Sequence, residues 1–242
     1  MGSNIVTKPE TEPTDLIKIN EIFYSIEGEG NYSGNPAIFV RTAGCNLSLV
    51  CQSFCDTLFD EYALYHVDQL ISHLNVFHQD EMKNRNVIIK ITGGEALLQY
   101  ATIELCYKLV TEYGRYVQIE SNGTYWPIND KFKFLNTYVY DQFSIMCSPK
   151  TPKIDERFKA KYWKYLVNTT NGVDEQDGLP LNEKGIPIAK PNANHYNPKI
   201  YIQPMDEYNE EKNKANIKLA TDICLKYGYN LSLQIHKIVG VS

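Results

Sequence analysis

Apolar runs alternate along this chain with segments of helical spacing, and most of the runs end in a polar cluster containing glycine or proline. Ile19 to Ile26 leads into Glu27-Gly28-Glu29-Gly30, and residues 36–43 form a second strand that delivers Arg41. Val87 to Ile91 is a short buried strand closed by Thr92-Gly93-Gly94-Glu95. Tyr116 to Glu120 runs into Ser121-Asn122-Gly123-Thr124, and Phe143 to Cys147 into Ser148-Pro149-Lys150. Trp163 to Val167, Lys199 to Ile202 and Asn230 to Ile235 complete the predicted strands, the second of them ending at Gln203-Pro204-Met205-Asp206. Helical spacing links Val67, Leu70, Ile71, Leu74 and Phe77, and it recurs over residues 100–113 and 207–227. Residues 168–198, rich in Asn, Gly and Pro, read as a long excursion with little regular structure. Residues 1–15 are polar with two prolines and predict a flexible arm, leaving 16–242 as one domain.

Strands alternating with helices imply parallel βα units and an α/β fold. In such folds the carboxyl ends of the strands carry the ligand site, in an open sheet as in a barrel. The glycine- and proline-bearing clusters sit at those ends, and their convergence weighs more than any one of them.

Composition narrows the class without choosing a chemistry. The 242 residues are 43% hydrophobic and 22% charged, an ordinary globular balance. A net charge of -5 argues against a general nucleic-acid binder, so the abundant tyrosines read as packing. No apolar run approaches the length of a membrane span, and the cytoplasm is the expected compartment.

The candidate chemistry begins with cysteine. Three of the six cysteines, Cys45, Cys51 and Cys55, fall in eleven residues after the second strand, spaced C-x5-C-x3-C. Three thiolates can hold an iron–sulfur cluster by three of its irons and leave the fourth open. They could equally belong to a zinc site or be buried thiols, and the spacing alone does not choose. Cys106, Cys147 and Cys224 stand in apolar or helical surroundings and read as core. His66, His73 and His78 do not share a helical face and read as surface residues.

Taken together, GCNL, FCDT, TGGE, ESNGT, SPK, IQPMD and LSLQIHK resemble the radical S-adenosylmethionine (SAM) enzymes. IFYSIEGEG, the Gly34-Asn35-Pro36-Ala37 lead and HKIVG narrow the resemblance to the 7-carboxy-7-deazaguanine synthase (QueE) family, from about Ile19 to the C-terminus. The resemblance implies a modified, incomplete (β/α) barrel, a homodimer, and conversion of 6-carboxy-5,6,7,8-tetrahydropterin to 7-carboxy-7-deazaguanine with loss of ammonia. It implies a 4Fe–4S cluster on Cys45, Cys51 and Cys55, SAM at the open iron, Mg²⁺ on Thr57, and an external, flavodoxin-like one-electron donor. The hydrogen-abstracting radical arises on SAM, so no side chain is expected to be catalytic. SAM contacts are implied for Phe54, Asp56, Gly93, Gly94, Glu95, Ser121, Ser148, Pro149, Lys150, Gln203, Pro204, Met205 and Asp206, with Glu95 accepting from the SAM ammonium. Pterin contacts are implied for Ile26, Glu27, Gly28, Gly30, Arg41, Thr92 and Ser242, with Arg41 pairing the carboxylate through its fork of donors. His236 reads either as a pterin contact or as a satisfied core histidine.

The chain departs from the family pattern in four places. Its cysteine spacing is wider than C-x3-C-x2-C. Glu27 stands in place of Gln, so an ionised side chain there accepts hydrogen bonds without donating them. Ala96 replaces the Pro of GGEP, and Ser242 the terminal Pro. Two other readings compete: another radical SAM enzyme, such as a glycyl-radical activase, and a zinc-stabilised interaction module. The EGEG segment and Arg41 speak against the first, and the motifs capping so many strands against the second.

Overall fold

The computed structural model describes residues 6–51, 61–138, 141–192 and 197–241. The chain divides into two compact units. The first comprises residues 1–26, 35–121 and 125–145, and the second 27–34, 122–124 and 146–242.

In the first unit, strand β1 (Leu16–Ile26) pairs antiparallel with β2 (Pro36–Thr42) on one side and with β3 (Ala63–His66) on the other. Helices α1 (Val67–Phe77) and α2 (Gln79–Lys83) then lead to β4 (Ile88–Gly93), which lies parallel to β2. Helix α3 (Tyr100–Thr111) connects β4 to its parallel neighbour β5 (Val117–Ser121), and α4 (Asp130–Tyr138) precedes β6 (Phe143–Cys147). The last residues of β6 enter the second unit. There they pair parallel with β7 (Tyr162–Val167), followed by β8 (Lys199–Pro204), helix α5 (Glu210–Tyr227), β9 (Asn230–Leu231) and helix α6 (Ile235–Val239). Along hydrogen-bonded neighbours the strand order is β3-β1-β2-β4-β5-β6-β7-β8-β9, and no described pairing joins its two ends.

The local chemistry explains these elements. Ile88, Ile89, Lys90 and Ile91 are all buried, as expected of a parallel strand covered on both faces. Helix α1 buries Val67, Leu70, Ile71 and Leu74 of the predicted stripe, while Phe77 at its end is exposed. Helix α5 starts where the Asn209 side chain accepts from Lys212 N at 3.0 Å, and it stops at Gly228 in the left-handed conformation (φ 75°).

Three expectations need correction. The parallel βα pattern fails at β1 and β3, which run antiparallel to their partners. The strand expected over Asn230–Ile235 stops after Leu231, because the Ser232 and Gln234 side chains bond to Gly30 and Glu29 and the chain turns into α6. The arm expected to be loose is tied down over residues 6–15. Thr7 N donates to Cys45 O at 3.0 Å, Glu10 N to Leu98 O at 2.7 Å, and the Glu10 carboxylate accepts from Tyr100 N at 3.0 Å.

Arg115 shows how the first unit handles a buried charge. Only 2% exposed, it donates to the carbonyls of Met82, Asn84 and Val87 at 2.6, 3.0 and 2.7 Å, closing the end of α2. Arg115→Leu leaves those carbonyls without their buried donor and is expected to destabilise the fold by about 3 kcal/mol. The check is a lowered urea midpoint at unchanged slope.

Candidate active site

In the first unit the cysteine loop leaves the end of β2. The Thr42 hydroxyl donates to Thr92 O at 3.0 Å, locking β2 to β4 just before the loop. Gly44 follows in the left-handed region (φ +85°), and Cys45 pairs with the arm at Val6. Leu47 N donates to Cys45 Sγ at 3.4 Å, while Val50 N and Cys51 N both donate to Leu47 O, at 2.9 and 3.0 Å. The wide interval between Cys45 and Cys51 is therefore a closed turn, with both thiols buried. Cys55, Phe54, Asp56, Thr57 and Ser242 lie outside the described residues.

The TGGE segment rests directly on this loop. Gly94 N donates to Thr42 O at 3.2 Å and Glu95 N to Gly44 O at 2.9 Å. A Cβ on Gly94 would lie 1.9 Å from Gly44 O and 3.1 Å from Cys45 Cβ; one on Gly93 would lie 2.1 Å from Thr42 O. Both glycines are thus required by the approach of one backbone to another. Glu95 is wholly buried, and Oε1 accepts from Leu97 N at 3.2 Å, capping the short 3-10 turn over Ala96–Leu98. Ala96, where the family pattern has Pro, sits fully buried in that turn.

Beside this loop the strands carry a polar ladder. Thr92 Oγ1 donates to Glu120 at 3.2 Å, and Lys90, 1% exposed, lies 3.4 Å from Glu120 and donates to Gln118 at 2.7 Å. Gln118 in turn donates to Ser144 Oγ at 3.1 Å. Arg41 is in register with Glu21 and Thr92; its Nε lies 3.5 Å from the Glu21 carboxylate, and its guanidinium stands over the Phe23 ring. Ser121 is buried at the end of β5, and Ile26 is half-buried at the end of β1.

In the second unit, residues 27–30 are bonded on several sides. Glu27 is buried, and its Oε1 accepts from Glu29 N at 2.9 Å. Gly28 O accepts from Ile235 N at 3.2 Å, and a Cβ on Gly28 would fall 1.8 Å from His236 Nδ1, so the imidazole packs on the glycine. Gly30, in the left-handed region (φ +64°), donates to Ser232 Oγ at 2.9 Å, with the Met146 methyl filling the space of a side chain. The Glu29 carboxylate pairs with Lys164 and accepts from Gln203 and Gln234, each at 2.8 Å.

The remaining predicted contacts are mostly engaged within the protein. Lys150 bends back to donate to Ser148 O and Oγ at 3.0 and 2.6 Å, beside buried Pro149. Pro204 is in register with Val167, Met205 N donates to Val167 O at 2.9 Å, and Met205 O accepts from Asn216 at 3.0 Å. Asp206 accepts from Lys237 at 2.6 Å, from Tyr208 N at 2.9 Å and from Asn213 at 2.8 Å. The Lys237 ammonium and the Tyr208 amide hold its carboxyl down at about 2. Among the described residues no group of three His, Cys, Asp or Glu side chains could hold a metal ion. Cys106 and Cys147 are fully buried, as core cysteines should be, and burial pushes the Cys106 thiol up.

No protein-family model matches the sequence. Individual proteins do. The chain is 31% identical over 226 residues to 7-carboxy-7-deazaguanine synthase of Rickettsia prowazekii, covering 93% of this chain and 88% of that one. It is 38% identical over 230 residues to the enzyme of that name from Bacteroides thetaiotaomicron, covering 93% and 98%. The chain belongs to the 7-carboxy-7-deazaguanine synthase family. The crystal structure of QueE from Escherichia coli matches with a TM-score of 0.55 at 19% identity, over 90% of this chain and 93% of that one, and so shares the fold. The mixed α/β arrangement, its sheet not closed among the described strands, is accordingly a radical SAM fold.

Within this family member, the structure brings Cys45, Gly93 and Gly94 together in one unit. In the other it gathers Glu27, Gly28, Gly30, Gln203 and His236. Sequence reasoning overlooked Glu29, Lys90, Glu120, Lys164 and Gln234. Two of these were signalled, since a lysine inside VIIKI or YWKYLV must find a buried partner.

Gly94→Ala is expected to cost about 3 kcal/mol through overpacking, read by urea denaturation. The Asp206 carboxyl, depressed from 3.8 to about 2, contributes stability present above its ordinary value and lost as pH falls toward 2. Wild type should therefore exceed Asp206→Asn by about 1 kcal/mol near neutrality, a gap that closes with acidification; acid urea titrations of both proteins measure it.

Proposed function

We propose that this chain is a radical SAM lyase converting 6-carboxy-5,6,7,8-tetrahydropterin to 7-carboxy-7-deazaguanine with release of ammonia. The observation carrying the reading is the seating of TGGE on the backbone around Cys45, in a chain that matches the synthases over 93% of its length.

The donor set suits an iron–sulfur cluster. Cys45 and Cys51 are buried on one short turn, and a backbone N–H already points at Cys45 Sγ, the kind of bond that stabilises a cluster thiolate. Cys55 would complete the three ligands and Thr57 would offer Mg²⁺ a hard oxygen. When bound, the cluster and SAM supply the hydrogen-atom abstraction that begins ring contraction.

The protein's own part is recognition and orientation. Arg41 pairs the substrate carboxylate with two donors of its planar fork. The pterin roles are those of Ile26 and Thr92 in the first unit and of Glu27, Gly28, Gly30 and His236 in the second, with Ser242 outside the described residues. Buried Glu27 adds an acceptor that suits the N–H edge of a pterin. The SAM roles are those of Gly93, Gly94 and Ser121 in the first unit and of Ser148, Pro149, Lys150 and Gln203 to Asp206 in the second, with Phe54 and Asp56 outside the described residues. The carboxylates of Glu95 and Asp206 already cap or bridge protein groups, so their part in SAM binding is one of shaping the segment that touches it.

An external one-electron donor of flavodoxin type, a homodimeric assembly and a cytoplasmic setting complete the proposal. No helix among the described residues is long and apolar enough to cross a membrane.

The test is anaerobic reconstitution with iron and sulfide, followed by dithionite, SAM, Mg²⁺ and the carboxytetrahydropterin, with mass analysis of the product. A brown protein that forms 7-carboxy-7-deazaguanine and ammonia supports the reading; a colourless zinc protein without sulfide overturns it. Arg41→Ala is expected to raise the pterin KM at least tenfold, about 1.4 kcal/mol or more, at unchanged iron content. Loss of the cluster in that variant would contradict the role.

A further inference from the structure

Glu29 is the acceptor on which a buried network in the second unit converges, yet neither the motif reading nor the proposed chemistry gives it a task. Lys164 enters from β7, a 6% exposed lysine in an otherwise apolar strand. Gln203 donates from the end of β8 and Gln234 from the segment after β9, both to Glu29 Oε1. Ser232 closes a ring: its hydroxyl donates to Gln203 Oε1 at 3.1 Å and accepts from Gly30 N at 2.9 Å. Glu29 N donates to the Glu27 carboxylate, and Gly28 O accepts from Ile235 N. Four consecutive residues, 27–30, are thereby fixed to β7, β8 and the C-terminal segment at once.

We propose that Glu29 is a positioning residue, whose charge-compensated bond to Lys164 sets the register of the 27–30 loop and so the placement of Glu27 and Gly28 toward the pterin. The inference rests on the proposed function for its consequence in turnover, though not for the loop clamp itself. The physical argument is the cost of a buried lysine. Lys164 cannot stay charged in an apolar strand without a carboxylate, so the ammonium recruits Glu29 and the loop travels with it. The two glutamine amides and the serine then remove the remaining freedom. A direct ligand role fits this less well, because three protein donors already approach the carboxylate. Gln203 is reassigned with it: its side-chain amide serves Glu29 and Ser232, leaving its backbone for the cofactor.

The experiment compares wild type, Glu29→Ala, Glu29→Gln and the double variant Glu29→Gln/Lys164→Met. Amide hydrogen exchange over residues 27–34 reads the clamp, pterin KM and kcat read its consequence, and iron content serves as a control. Glu29→Ala and Glu29→Gln should lose exchange protection and raise KM about tenfold or more with a smaller change in kcat. The double variant removes the uncompensated ammonium while keeping an acceptor for both glutamines, and should regain protection and most of the KM. Unchanged exchange in Glu29→Ala overturns the clamp whatever the turnover. A double variant that regains protection without regaining KM overturns the positioning role, since the carboxylate would then act on the substrate itself. Should wild type bind iron but leave the pterin unconverted, the proposed function falls, and the exchange data alone decide the clamp.

Discussion

A lysine placed in the middle of a buried strand must be neutralised by a carboxylate, and both units are built around that demand. In the first, Lys90 in β4 is met by Glu120 and Gln118 from β5; in the second, Lys164 in β7 is met by Glu29 from the loop after β1. An ammonium buried without a partner costs more than most single side-chain contacts return, so the acceptors are constrained as tightly as the lysines. This is why the strands carry polar ladders among otherwise apolar residues. Thr92, Gln118, Ser144, Gln203 and Ser232 extend the two carboxylates into networks that fix side chains in one arrangement.

Close backbone approach is the second device, and it gives the glycines their meaning. Gly93 and Gly94 admit the carbonyls of Thr42 and Gly44, while Gly28 admits the His236 ring. Any side chain at these positions would push apart segments whose registration depends on contacts of under 3 Å between a hypothetical Cβ and its neighbour. The family resemblance implies ligand contacts for these glycines. The structure shows that the protein itself occupies the space beside them, so packing alone requires them before any ligand arrives.

Much of the fold was legible, for identifiable reasons. Buried strands such as Phe143–Cys147 and stripes such as Val67, Leu70, Ile71 and Leu74 carry their pattern locally, and their boundaries fell where the polar clusters begin. Strand β3 carried no such signal, since Ala63, Leu64 and His66 are exposed and Tyr65 only half-buried. Helix α4 buries Phe132 and Leu135, and its Asn129 caps the amides of Lys131 and Phe132, a start signal that was present but hidden between Pro127 and the aromatic residues that follow. The arm read as flexible from its polar composition. What holds it is backbone bonding to Cys45 and Leu98, a long-range pairing that local composition does not encode.

The candidate site was legible in its positions and less so in its assignments, and the difference has a physical cause. A motif records that a residue type is required at a place; it does not say whether the requirement comes from a ligand or from the fold. Glu95 caps the turn that follows TGGE, and Asp206 draws Lys237, and with it α6, onto the loop after β8. That bond reaches further than its own pair. Lys237 is the neighbour of His236, whose ring lies on Gly28, so the Asp206 carboxylate helps hold the imidazole against the loop that Glu29 also fixes. A carboxylate held by an ammonium, a backbone amide and a side-chain amide is oriented before any ligand binds, and a site assembled from such groups loses little conformational entropy on meeting its substrate. Motif residues that serve the fold can therefore be as narrowly constrained as those that meet a ligand.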